Sequence, residues 1–407
     1  MKSARVSIGA VLVLGLAVVS APTAATAKTV TVNPGDSIQA AVDAASPNDT
    51  IKVMPGDYME TTPGPAAITI NKSKLTLIAM SKLTAVPAVK VRILPNHAIP
   101  GQIHGILVQP AHDGDPDITN LTIQGFTVEG FNNMGIWLRH VNNFKILGNE
   151  SINNQENGIF PTLSANGLVK QNVAYGSLDS ALWVEGSQKV RVLKNQLSKS
   201  PTGLEITISN DITVQQNNIH DNTIGVGLYN PASAGLPQNE WPAGPYGFWH
   251  IVNNHVHHNN LPNPVSGASE VSALPSGGGI LLLGVQNVDV QKNQIERNDF
   301  FGIGVVDYCL ATAPNPPFDC TDSPPPAPPL GSPTAPDSDQ IFNNTLVDNH
   351  AFPPAGIFQP LAADILELQL DATTAGLSDC FSNNKITNEN GLSGPLTMIP
   401  DGRPACP

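Results

Sequence analysis

Eight asparagines recur along the chain at Asn149, Asn172, Asn195, Asn217, Asn254, Asn293, Asn344 and Asn384. The first intervals are 23, 23 and 22 residues, and the later ones lengthen to 37, 39, 51 and 40. An apolar residue stands three positions before each: Ile146, Val169, Val192, Val214, Ile251, Val290, Ile341 and Phe381. A small or apolar residue stands two positions after each, from Ser151 and Ala174 to Leu346 and Ile386. A period of this length, with strand-like alternation inside it, marks a solenoid. About three short strands and three bends make one turn of a right-handed parallel β-helix of that length. Phe126 extends the register one coil earlier, with Phe in the Asn slot. Asn tolerates left-handed backbone, which suits it to a bend. Its amide both donates and accepts, so copies stacked about 4.8 Å apart can bond to one another.

The start of the chain reads as an export signal. Lys2 and Arg5 precede an apolar run, Ile8 to Val19, and Ala25-Thr26-Ala27 offers a cleavage site before Lys28. The run is too short for a membrane span, and no later segment is apolar enough for one. The expected organisation is a signal peptide over 1–27 and one β-helix domain over 28–407. Without the signal, 18 basic and 33 acidic residues remain, a formal charge of −15. That argues against a nucleic-acid partner. The expected location is secreted or periplasmic. Export permits disulfides, and pairing Cys309 with Cys320 and Cys380 with Cys406 closes the shortest loops.

Residues 28–60 read as an N-terminal cap, with strands at 30–32 and 49–53 and a turn at 55–58. Between the strands, Ser37 to Ala45 carries an apolar stripe and an N-cap at Asp36 or Ser37, which predicts a helix lying over the open end of the core. The stretch GDSIQAAVDAASPNDTIKVMPGDY resembles the opening segment of secreted right-handed β-helix proteins of the pectin-lyase-like group. The run GSLDSALWVEGSQKVRVLKNQL, continued by TGLEITISNDITVQQNNIHDN, resembles bacterial parallel β-helix repeat proteins. The likeness covers most of residues 30–310. It implies an all-β, single-stranded right-handed parallel β-helix, and many such proteins bind or process polysaccharides. The chemical signatures of the group are missing. There is no Asp-Pro-His-Asp as in alginate epimerases, and no Gly-His-Gly or Arg-Ile-Lys as in polygalacturonases.

Three insertions break the period. Residues 230–247 and 261–277 are rich in Pro, Gly and Asn, and 311–338 carries ten prolines. Long loops leaving a regular solenoid often build a binding site. Aligning the strand after each Asn bend puts Ile136, Ile159, Leu182, Leu204, Val226, Ile280 and Ile303 in one inward column. Alternation then turns Trp137, Phe160, Trp183 and Glu205 outward, flanked by Arg139, Glu185 and Tyr229. Flat rings suit sugar C–H faces, and carboxylates bond hydroxyls or move protons. The substrate-binding candidates are therefore Trp137, Arg139, Phe160, Trp183 and Tyr229. The catalytic candidates are Asp179, Glu185 and Glu205. The expectation is one partly open groove walled by 230–247 and 261–277. The competing reading is that the insertions cover these rings.

A second column, Ser198, His220, His257 and Glu296, has His255 and His258 nearby. Two imidazoles and a carboxylate make His220, His257 and Glu296 a candidate site for a divalent cation, against a plain solvated histidine edge. The stretch from His112 to Asp117 could hold Ca²⁺ but lacks the EF-hand spacing, and reads as a polar turn. Three functions stay open. One is a protein that binds and processes a polysaccharide or cell-surface glycan, as a lyase, epimerase or glycoside hydrolase. Another is a non-catalytic binding or structural β-helix. The last is a metal-handling module.

Overall fold

The computed structural model describes residues 26–81, 89–267, 271–308, 336–356, 359–368, 379–390, 395–400 and 402–406. Residues 1–25 of the expected signal peptide, Cys309, Cys320 and nearly all of the Pro-rich insertion lie outside them. The chain winds into three parallel sheets of 12, 11 and 11 strands, stacked coil upon coil. Sheet I runs from Thr29–Val32 to Cys380–Ser382, sheet II from Gly56–Tyr58 to Lys385–Thr387, and sheet III from Ala66–Ile70 to Thr397–Met398. One coil illustrates the repeat. Val141–Leu147 lies in sheet I, Glu150–Ile152 in sheet II and Ile159–Thr162 in sheet III. The expected turn at 55–58 is instead the first strand of sheet II.

The core is the inward side of these strands. Ile136, Ile159, Leu182, Leu204, Val226, Ile280 and Ile303 are fully buried in register, as the alignment expected. Helix α1, Ile38–Ala44, closes the N-terminal end and buries Ile38 and Val42. Ser37 is its N-cap and accepts from the Ala40 N–H at 3.0 Å. The buried Glu60 accepts from the Ile38 N–H at 2.7 Å and from the Ser37 hydroxyl at 2.6 Å. Those bonds satisfy donors that the first turn of a helix cannot pair within itself.

The asparagines form one continuous ladder. The amide Nδ2 of each donates to Oδ1 of the next, from Asn149 to Asn384, over 2.9–3.1 Å. The same Oδ1 atoms accept the backbone N–H of the asparagine before them. Phe126 heads the ladder by donating its N–H to Asn149 Oδ1 at 3.0 Å. The bend conformation, however, belongs to the preceding residue. Gly148, Gln171, Lys194, Gln216, Asn253, Lys292, Asn343 and Asn383 have φ between 53° and 58°. The asparagine itself serves the ladder and not the left-handed turn.

The other two bends carry ladders of their own. At the second, Asn222, Asn259, Asn298 and Asn349 bond in the same way, ending on Asp364. At the third, Val141, Ser164 and Ser187 donate backbone N–H groups to the hydroxyls of Ser164, Ser187 and Ser209. A disulfide joins Cys380 to Cys406, one of the two expected pairings. The other lies outside the described residues.

Candidate functional site

The outward face of sheet III carries the residues the column alignment brought together. Trp137 pairs in register with Phe160, and Trp183 with Glu205, while Thr162 pairs with Glu185 and Glu185 with Thr207. The rings stack along the helix axis. Centroids lie 5.1 Å apart for His104 and Trp137, 6.3 Å for Trp137 and Phe160, and 4.7 Å for Phe160 and Trp183. Threonines on the next coil hold both indoles. Trp137 Nε1 donates to Thr162 Oγ1 at 3.1 Å, and Trp183 Nε1 to Thr207 Oγ1 at 2.9 Å.

The groove is closed, and this corrects the expected exposure. Phe160 is 5% exposed, Trp183 7%, Glu205 5%, Tyr229 6% and Glu185 1%. Trp137 and Arg139 stay partly exposed. Over Trp183 and Glu185 the cause is the insertion after Tyr229, which folds back as a roof instead of standing as a wall. Gly235 presses on the Trp183 indole so closely that a Cβ there would sit 2.7 Å from it. The N–H groups of Gly235 and Leu236 donate to Glu185 Oε1 at 2.6 and 3.0 Å. At the rim, Glu240 of the roof pairs with Arg139 at 2.5 Å. Glu185, a catalytic candidate on sequence, thus pins the roof. The 261–277 insertion instead places Leu274 against a second apolar cluster that includes Ile224, Tyr229, Leu281 and Phe301.

Beside Glu185 on this face lies a group of buried carboxyls. Asp179, at the bend before the Ser180–Glu185 strand, accepts from Asn157 Nδ2 at 3.1 Å through Oδ2. Its Oδ1 is buried without a partner. Glu205 Oε2 accepts from the Ser180 hydroxyl at 2.5 Å. Tyr229 folds its ring back over Gly227 to bring its hydroxyl within 3.4 Å of Thr202 Oγ1. Only glycine allows this, since a Cβ at 227 would meet the Tyr229 hydroxyl at 2.3 Å. Burial pushes the Asp179 carboxyl up to about 7, opposed by the Asn157 bond and reinforced by Glu156. Burial also lifts Glu185 to about 7, against the two backbone donors of the roof. Burial drops His104 to about 4, so it is neutral at physiological pH. The Tyr229 phenol is raised, by burial first and then by Glu205.

The histidine column is present in sheet II, with Ser198, His220, His257 and Glu296 in register. Its donors do not converge. His220 Nδ1 faces Asp221 at 2.8 Å, Glu296 bonds His255 Nε2 at 2.9 Å, and His257 bonds Asn218 and His258. Among the described residues, no three His, Cys, Asp or Glu side chains are placed to hold a metal ion. The column is a stack of imidazoles, His220 over His257 at 5.1 Å and His255 on His257 at 4.0 Å. Burial, with the neighbouring imidazoles, lowers His257 to about 4. The 112–117 segment is a turn in which Asp115 caps the His112 N–H at 3.0 Å.

Comparison with known proteins agrees on architecture. The family model for a right handed beta helix region matches residues 94–240. The chain is a right-handed parallel β-helix. Its structure is similar to the A-module of the mannuronan C-5 epimerase AlgE4 of Azotobacter vinelandii. The TM-score is 0.60 at 16% identity, covering 90% of this chain and 93% of that one. The AlgE6 A-module of the same organism also gives 0.60 at 16%, covering 88% and 84%. DFA-IIIase from Arthrobacter chlorophenolicus A6, in complex with GF2, gives 0.54 at 14%, covering 86% and 81%. No curated protein sequence matches the chain. Among the described residues, no helix is long and apolar enough to cross a membrane.

Proposed function

We propose that this β-helix is an exported glycan-processing protein whose site lies on the outer face of sheet III, around Asp179, Glu205 and Tyr229. One observation carries the reading. Asp179 is a buried carboxyl with an unpartnered oxygen and a pKa raised to about 7, and the next residue, Ser180, fixes a second carboxylate, Glu205. A folded protein does not bury an orphan acid oxygen without cost, and sites that need proton transfer are where such groups gather. In this reading Asp179 donates a proton and Glu205 accepts one, while Tyr229 bonds a sugar hydroxyl. Trp137, partly exposed beside Arg139, offers a ring face at the rim. A ligand reaches Phe160 and Trp183 when the 231–246 roof lifts from Glu185. Support for the substrate class comes from likeness: the mannuronan epimerase modules share this architecture across nearly the whole chain.

The roof over Trp183 supports a second reading, a glycan-binding protein without turnover. A glycan array followed by assay for new reducing or unsaturated ends, and by NMR for inverted sugar configuration, separates the two. Binding with either change, lost in Asp179→Asn and Glu205→Gln while the fold is retained, supports catalysis. Binding with neither change supports the second reading. Absence of any glycan binding overturns both.

A further inference from the structure

The charge of the face narrows the ligand. Of the outward positions on sheet III from His104 to Leu368, Arg139 is the one cationic side chain among the described residues. It is already paired with Glu240 of the roof. Neither the 230–247 nor the 261–277 insertion contains Lys or Arg, and the sequence has none between Lys199 and Lys292. His104, at the end of the ring stack, is 5% exposed and its Nδ1 accepts from the Met134 N–H at 3.3 Å, so it brings no positive charge. Against this stand Asp179, Glu185 and Glu205, all buried at the same face.

A sugar carboxylate brought here would meet like charge in a poorly hydrated site with no fixed cation to receive it. Like-charge juxtaposition of that kind is strongly unfavourable. Neutral sugars pay no such cost: their hydroxyls bond carboxylates, Ser180 and Thr202, and their C–H faces cover the rings. Resting on the glycan-site reading above, we infer that the ligand is an uncharged glycan, and that uronate polymers are excluded although the similar epimerase modules are named for one.

The test uses the full exported chain at pH 8, where the carboxyls are ionised. Neutral gluco-, manno- and fructo-oligosaccharides are compared by calorimetry with oligomannuronate and oligogalacturonate, each with and without Ca²⁺. Neutral binding at least about tenfold tighter than uronate binding, in both conditions, supports the inference. Uronates binding as well or better, alone or with Ca²⁺, overturn it and leave the glycan site standing. Binding of neither class overturns both. The variant Glu240→Gln releases Arg139 and is expected to raise uronate affinity several-fold with neutral affinity kept. No gain for uronates would show that charge does not set the choice.

Discussion

The asparagine ladder and the outer face of sheet III are built on the same coils, yet one repeats and the other does not. Along the ladder, every coil from Asn149 to Asn384 presents the same amide in the same geometry. Along the face, successive coils present Trp137, Phe160, Trp183, Glu205 and Gly227. The difference is one of constraint. At the bend, backbone N–H groups buried away from water must be met by a side-chain oxygen at one fixed position, and few residues qualify. On the outward face the backbone is already paired within the sheet, so the side chain is unconstrained by the fold. Irregularity there is where chemistry can reside.

If this contrast is right, the ladder variant should cost most. Asn195→Ala removes bonds to Val169 O and Asn217 Oδ1 and leaves the Asn172 N–H and one of its two amide hydrogens unmet, the other staying on Ile146 O. A loss of about 3–5 kcal/mol is expected in urea unfolding. Trp183→Ala should cost less, about 2–4 kcal/mol, because its ring is packed between Phe160 and the roof and not in the core. An unchanged midpoint would mean that the roof does not close over it in solution.

A third expectation concerns pH. Asp179 and Glu185 have pKa values near 7 in the folded chain, above their ordinary 3.8 and 4.5. The folded state therefore keeps protons that the unfolded state has lost. Their contribution to stability is present below about pH 4, declines as pH rises to about 7, and is flat above. Asp179→Asn should flatten part of that slope, as followed by melting temperature across pH 4–8. Smallest in global stability is Glu185→Ala, which loses an awkward buried acid together with the roof anchor. Its signature should be local: faster protease cleavage within 231–246 at an almost unchanged melting temperature. Cleavage at the native rate would show that other contacts hold the roof.

The sequence showed the coil period, the first ladder, the N-cap and the face columns because each rests on spacing alone. It did not show the second ladder, since Ser177 and Ser200 interrupt the asparagines between Asn154 and Asn222. The serine ladder has no sequence signature, because short hydroxyls are common at any bend. The left-handed residue is equally hidden, because Lys194 and Gln216, poor left-handed formers, sit where the ladder forces them. The roof was illegible for a different reason. Nothing in the spacing of residues 230–247 says whether they stand away from the sheet or fold onto Glu185. Two backbone N–H groups settle that, and they carry no sequence signature.

The ladder also has a direction. Each asparagine from Asn149 to Asn344 points its oxygen toward the preceding coil, one amide hydrogen toward the following asparagine and the other toward a carbonyl of the coil before. A partly wound solenoid therefore always ends in a row of donors that only the next turn can satisfy. Its growing tip is sticky and its starting end, sealed by Phe126 and helix α1, is not. Synthesis from the N-terminus lays down turns in the order in which each is needed, so the molecule winds in one sense only, like a ratchet whose pawl is an amide.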